Sequence, residues 1–145
     1  MMMTASRARA TGCQGYSETH PRTNETASVA RGLVRTACAA WGLGDETAET
    51  AALAMSELVT NAVNHARGHS LRVIVDRPAN DRLYLAIVDM DPSRVPMLRA
   101  PGGDDTDGRG LILVDVLADR WGYDLLGPAR RPNRKRCWAE MKAAP

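Results

Sequence analysis

Val29, Leu33, Val34, Ala37 and Trp41 recur at helical spacing, which predicts a helix from about residue 24, capped by Asn24 and ended by Gly42 and Gly44. A second, longer helix is expected from Asp45 to about Ala66. Asp45 suits the N-cap, and Glu46 and Glu49 lie where the helix dipole favours negative charge. On its wheel Ala48, Ala51, Met55, Leu58, Val59, Ala62 and Ala66 gather on one side, the predicted core stripe. The chain then changes period. Residues 71–75 and 82–88 read as two strands joined by the turn Pro78-Ala79-Asn80-Asp81.

Residues 90–107 hold three prolines and a run of aspartates without a period, and are expected to be a functional loop. Gly108-Arg109-Gly110 then opens a short apolar helix over 111–117, and 120–126 and 137–141 read as strands around a basic loop. Residues 1–22 are polar and aperiodic. They are expected to form a disordered tail, with a short strand near 16–20, ahead of a domain at 23–145. The order helix, helix, hairpin, loop, helix, hairpin predicts an α+β two-layer sandwich with the helices on one sheet face.

Composition narrows the class. A chain of 145 residues, 44% hydrophobic and 25% charged, is sized for one soluble domain. No apolar stretch approaches the roughly 20 residues that span a bilayer, and no apolar run follows Arg7, so a secretory leader is not expected. The expected location is the cytoplasm, without a membrane partner. Cys13, Cys38 and Cys137 are widely spaced and lack a CxxC pair, which favours reduced thiols over a disulfide or zinc framework. The net charge of +2 conceals an asymmetry: Arg130, Arg131, Arg134, Lys135, Arg136 and Lys142 oppose Glu140 alone, while the body is acidic. Of these, Arg130, Arg131, Arg134, Lys135 and Arg136 form a cluster without interleaved aromatics, so nucleic-acid binding is disfavoured beside an exposed hairpin loop or a docking surface for an acidic protein.

The candidate chemistry concentrates on the second helix. Glu57, Asn61 and Asn64 fall at i, i+4 and i+7, opposite the apolar stripe. A solvated face is the simplest reading, yet Thr60, Asn61 and Asn64 are mediocre helix formers in mid-helix. A carboxylate and an amide one turn apart can together hold a hydrated magnesium ion and orient a nucleophile. His65 is read as a cap or packed side chain. Gly108-x-Gly110 at a helix start could cradle phosphate through backbone N–H groups, although a tight turn explains it alone. Asp89 ends a strand, where a carboxylate can cap or can accept from the exocyclic amine of a base.

In order, these pieces resemble the GHKL ATPase superfamily, and within it the small anti-sigma-factor serine/threonine kinases. Ser56-Glu57-Leu58-Val59-Thr60-Asn61-Ala62-Val63-Asn64-His65-Ala66 is similar to that group's N-box. Val88-Asp89-Met90-Asp91-Pro92 stands where the adenine-binding aspartate box belongs, and Gly108-Arg109-Gly110-Leu111 resembles the second glycine box. The resemblance covers residues 24–141. It implies a Bergerat ATP-binding fold, with a mixed, mostly antiparallel sheet. It implies Glu57 as the general base and Asn61 as the magnesium-holding residue. Nucleotide contacts would come from Asn61, Asp89, Asp91, Gly108, Arg109, Gly110 and Leu111, with residues 90–107 as a lid.

Three departures stand out. Asp91 replaces the glycine expected two residues after Asp89, Thr106-Asp107 stand where an arginine often precedes the glycine box, and Arg134-Lys135-Arg136 replace a Gly-x-Thr. The resemblance implies ATP and Mg2+ as cofactors and a protein partner, a sigma factor or its anti-anti-sigma-like antagonist. A homodimer stays open. The implied activity is a serine/threonine kinase that regulates transcription; a non-catalytic ATP-dependent interaction module is the alternative.

Overall fold

The computed structural model describes residues 4–8, 14–65, 68–93 and 106–145. Along them run β1 (Thr4–Ala8), β2 (Gln14–Pro21), α1 (Thr26–Ala40), α2 (Asp45–His65), β3 (Ser70–Ala79), β4 (Arg82–Asp89), α3 (Thr106–Leu117), β5 (Arg120–Leu126) and β6 (Arg134–Lys142). The strands form one sheet of order β1-β2-β3-β4-β6-β5, and every described pairing in it is antiparallel. Helix α1 lies against β2 and β3, α2 against β4 and β6, and α3 against α2 and β5. This is the expected α+β two-layer sandwich.

Register explains the core. Val73 pairs with Ile87 and Ile87 with Cys137, so the alternating buried positions of three neighbouring strands lie on one face. Leu71, Val73 and Val75, then Leu83, Leu85 and Ile87, then Cys137, Ala139 and Met141 meet Leu33, Val34, Met55, Leu58 and Val59 from the helices. Burial pushes the Cys38 thiol up to about 11 and the Cys137 thiol up to about 12, so both stay protonated and unreactive at neutral pH. No helix among the described residues is long and apolar enough to cross a membrane.

The expected tail is corrected at 4–8 and 14–21, which form strands β1 and β2, with the eight-residue β2 paired along β3. The hint of a strand near 16–20 was the better guide. Tyr16, Glu18 and His20 pair with Val75, Val73 and Leu71, so they occupy the helix-facing side. There Glu18 and His20 satisfy one another, each side chain only 8% exposed. Two polar residues on the core side erase the hydrophobic alternation that would have revealed the strand.

Arg22, also assigned to the tail, is a clamp. Its guanidinium donates to the Val63 carbonyl at 2.7 Å and the Gly68 carbonyl at 2.8 Å, and its backbone N–H donates to His69 at 2.9 Å. A cation on carbonyls at the end of α2 suits the helix dipole. Arg22→Ala is expected to lower stability by about 1–2 kcal/mol, measured by urea unfolding. An unchanged midpoint would show that water replaces these bonds without loss.

Candidate functional site

Helix α2 carries its candidate polar residues on a flank. Glu49 of α2 is held by Arg35 of α1, with bonds of 2.9 and 3.1 Å, which fixes the side of α2 that meets α1. At about 100° per residue, Glu57 lies about 80° and Asn61 about 120° around the wheel from Glu49. Asn61 lies only about 20° from Ala54, which is fully buried. Since α1 occupies one flank, Ala54 and Asn61 belong to the flank that packs toward α3. Glu57 and Asn61 are both half-buried, while Asn64 is exposed, so the three predicted polar positions are not equivalent. His65 is half-buried in the last turn.

Burial raises the Glu57 carboxyl above its ordinary range by disfavouring its charged form. Such a group takes up a proton more readily than an exposed glutamate, which suits a general base. Asn61, one turn further on, offers a carbonyl oxygen and an amide.

The alternation of β4 carries Leu83, Leu85 and Ile87 into the core and ends on Asp89, which is 1% exposed. Asp89 Oδ1 accepts the backbone N–H of Asp91 at 2.8 Å, and Asp91 Oδ1 in turn accepts the N–H of Ser93 at 3.0 Å. Two consecutive side-chain-to-backbone turns therefore build the segment where the resemblance led us to expect a glycine. No non-glycine residue among those described has a positive φ, so Asp91 takes the place without strain. Buried Asp89 Oδ2 has no hydrogen-bond partner.

The basic cluster is the clearest departure from expectation. Strand β6 begins at Arg134, so Lys135 and Arg136 are strand residues rather than loop. Lys135 is directly opposite Asp89 in the ladder, is 2% exposed, and holds Nζ 3.6 Å from Asp89 Oδ2. Arg136 points the other way and donates to Asp124 at 2.9 Å. Two of the five clustered charges are thus committed internally, which weakens the cluster as a nucleic-acid surface. The spacing Lys135-x-Cys137-x-Ala139-x-Met141 could have revealed the inward lysine, because it continues a period of two. Despite its buried partner, the net effect of the surroundings raises the Asp89 carboxyl: desolvation outweighs the Asp91 N–H and the Lys135 ammonium.

Helix α3 starts at Thr106, so Gly108, Arg109 and Gly110 are its third to fifth residues and do not form a turn before it. Gly108 is tolerated there because the first N–H groups of a helix have no intrahelical partner to lose, whereas Gly110 lies beyond them. Those same groups are what a phosphate cradle needs. Leu111 is buried, at 3% exposure, with fully buried Val114 one turn on. The lid expected at 90–107 falls largely outside the described residues; within them, 90–93 form the turn after β4 and Thr106 opens α3.

The donor set fits a nucleotide better than a bare metal. No group of three or more His, Cys, Asp or Glu that could hold an ion occurs among the described residues. Magnesium characteristically binds through one or two protein oxygens together with phosphates and water. Asn61 could supply such an oxygen, and the orphaned Asp89 Oδ2 is an acceptor suited to an amine.

Glu57→Gln tests whether the raised carboxyl has a cost. A carboxyl raised on folding penalises the folded state above its folded value, and the penalty vanishes below the ordinary value near 4.5. The variant should therefore show a small rise in Tm at pH 7 that disappears by pH 4. A lower Tm at pH 7 would assign Glu57 a stabilising role.

A family model described as a histidine kinase-like ATPase domain matches residues 20–131. The chain is also 33% identical, over 78 residues, to uncharacterized protein SCO4941 of Streptomyces coelicolor, covering 52% of this chain and 74% of that one. The family match takes in α1, α2, β3, β4, α3 and β5 and stops short of β6, which bears Lys135. The chain belongs to the histidine kinase-like ATPase domain family, and that membership supports ATP as its ligand.

Proposed function

We propose that this domain binds ATP with Mg2+ and acts as a serine/threonine protein kinase of the anti-sigma-factor type, regulating transcription in the cytoplasm through a protein partner. The observation that carries the reading is Glu57: a half-buried carboxyl with raised proton affinity, one helical turn from Asn61 on the flank facing α3. In this reading Asp89 Oδ2 accepts the adenine amine. Asn61 holds the magnesium that accompanies the phosphates, and the first turn of α3 offers its N–H groups to them, with Arg109 and Leu111 alongside. Bound magnesium supplies charge neutralisation at the phosphates. Glu57 takes the proton from a serine hydroxyl of the partner.

A non-catalytic module, switched by nucleotide but not turning it over, is the second reading. It is favoured by Thr106-Asp107, which place no arginine ahead of the glycines to meet transition-state charge.

Titration with ATP and Mg2+ should show binding by the wild type and a loss of about tenfold or more in Asn61→Ala. Incubation with γ-labelled ATP and candidate partner proteins should place label on serine, and Glu57→Ala should abolish the transfer while ATP binding persists. Binding without transfer would select the second reading. Transfer that survives Glu57→Ala would remove the proposed base.

A further inference from the structure

The pairing of Asp89 with Lys135 has a chemistry of its own. Both residues end an apolar, period-two stripe, on strands hydrogen-bonded to each other, on the face that meets the helices. Both are nearly sealed from water, at 1% and 2% exposure. Asp89 Oδ1 is taken by the Asp91 N–H, whereas Oδ2 makes no hydrogen bond. The ammonium stands 3.6 Å away, close enough to neutralise the charge and too far to consume the lone pairs of Oδ2. A buried ion pair is poor at stabilising a fold and is often matched by two apolar residues. Its worth here would lie in what it can recognise: an acceptor and a cationic donor side by side.

We propose that Lys135 is a base-specificity residue, whose ammonium donates to the ring nitrogen N1 of adenine while the neighbouring N6 amine donates to Asp89 Oδ2. This rests on the ATP reading above and adds to it a second, cationic contact on the base. Adenine presents a donor and an acceptor on adjacent atoms, in the order that lets the carboxylate accept and the ammonium donate. Hypoxanthine in the same pose presents a carbonyl to the carboxylate and an N–H to the ammonium, so both contacts turn repulsive. A site built from buried polar groups rejects such an analogue strongly, because each mismatch leaves a desolvated charge unpaired.

The test compares ATP with 1-deaza-ATP, in which N1 is replaced by C–H, and with ITP, each titrated in Mg2+ against the full chain. Wild type should prefer ATP over both by about tenfold or more. Lys135→Met should bind ATP and 1-deaza-ATP alike, with unchanged far-UV circular dichroism. Because that variant leaves Asp89 without its cation, Asp89→Asn/Lys135→Met supplies a neutral pair with the same expected loss of discrimination. Equal binding of ATP and 1-deaza-ATP by wild type overturns the inference with no variant needed. So does a full preference retained in either folded variant, or tighter ATP binding by Lys135→Met, which would make the lysine a block. Failure of wild type to bind ATP at all would instead overturn the ATP reading itself, and this inference with it.

Discussion

Helix α2 has to fit against three neighbours at once, and that fit sets everything else. The sheet lies below it and α1 and α3 on its flanks. Ala48, Ala51, Ala52, Ala54 and Ala62 are all buried, and their small side chains let the neighbouring elements come close. Met55, Leu58 and Val59 then fill the space over β4 and β6. A void the size of one such side chain would cost about 2–5 kcal/mol, a large share of the margin of a typical domain. The helix therefore has little freedom to rotate, and the positions of Glu57 and Asn61 inherit its rigidity. Sites borne on regular elements are held more precisely than sites on loops.

The same logic applies at the sheet's end. Strands β4 and β6 each bring three apolar residues into the core and then, one step further along the same face, a charge. Valines at both places would extend the core at no electrostatic cost. Buried charges cost desolvation whether or not they find each other, and here the partners stand at ion-pair distance, 3.6 Å apart. The architecture thus places polarity at the edge of the apolar layer, beside the helix whose flank carries the other polar groups.

Much of this was legible in the chain. The apolar periods located α1, α2, β3 and β4, because each buries one clean face, and the order of elements gave the two-layer plan. The positions of Glu57, Asn61 and Asp89 on their elements followed from spacing alone. Three features were hidden for physical reasons. Strand β2 sets Glu18 and His20 toward the core, where mutual pairing substitutes for hydrophobicity. Strand β6 starts with Arg134-Lys135-Arg136, which reads as a solvated loop until the ladder shows Lys135 turned inward. Helix α3 begins before its glycines, in a stretch with no apolar period. The origin of the half-buried state of Glu57 was equally invisible, since a wheel gives the direction of a side chain and not the neighbour that shields it.

Arg22 ties together parts of the chain far apart in sequence. One guanidinium, at the junction between β2 and α1, grips carbonyls 41 and 46 residues later. It closes a loop around the whole pair α1 and α2, so the final turn of α2 cannot fray without releasing the junction where β2 leaves the sheet. Local opening at one place is thereby coupled to the other, and the two should exchange their amide protons as a single cooperative unit. A ligand that tightens the end of α2 would be felt where β2 leaves the sheet through this side chain.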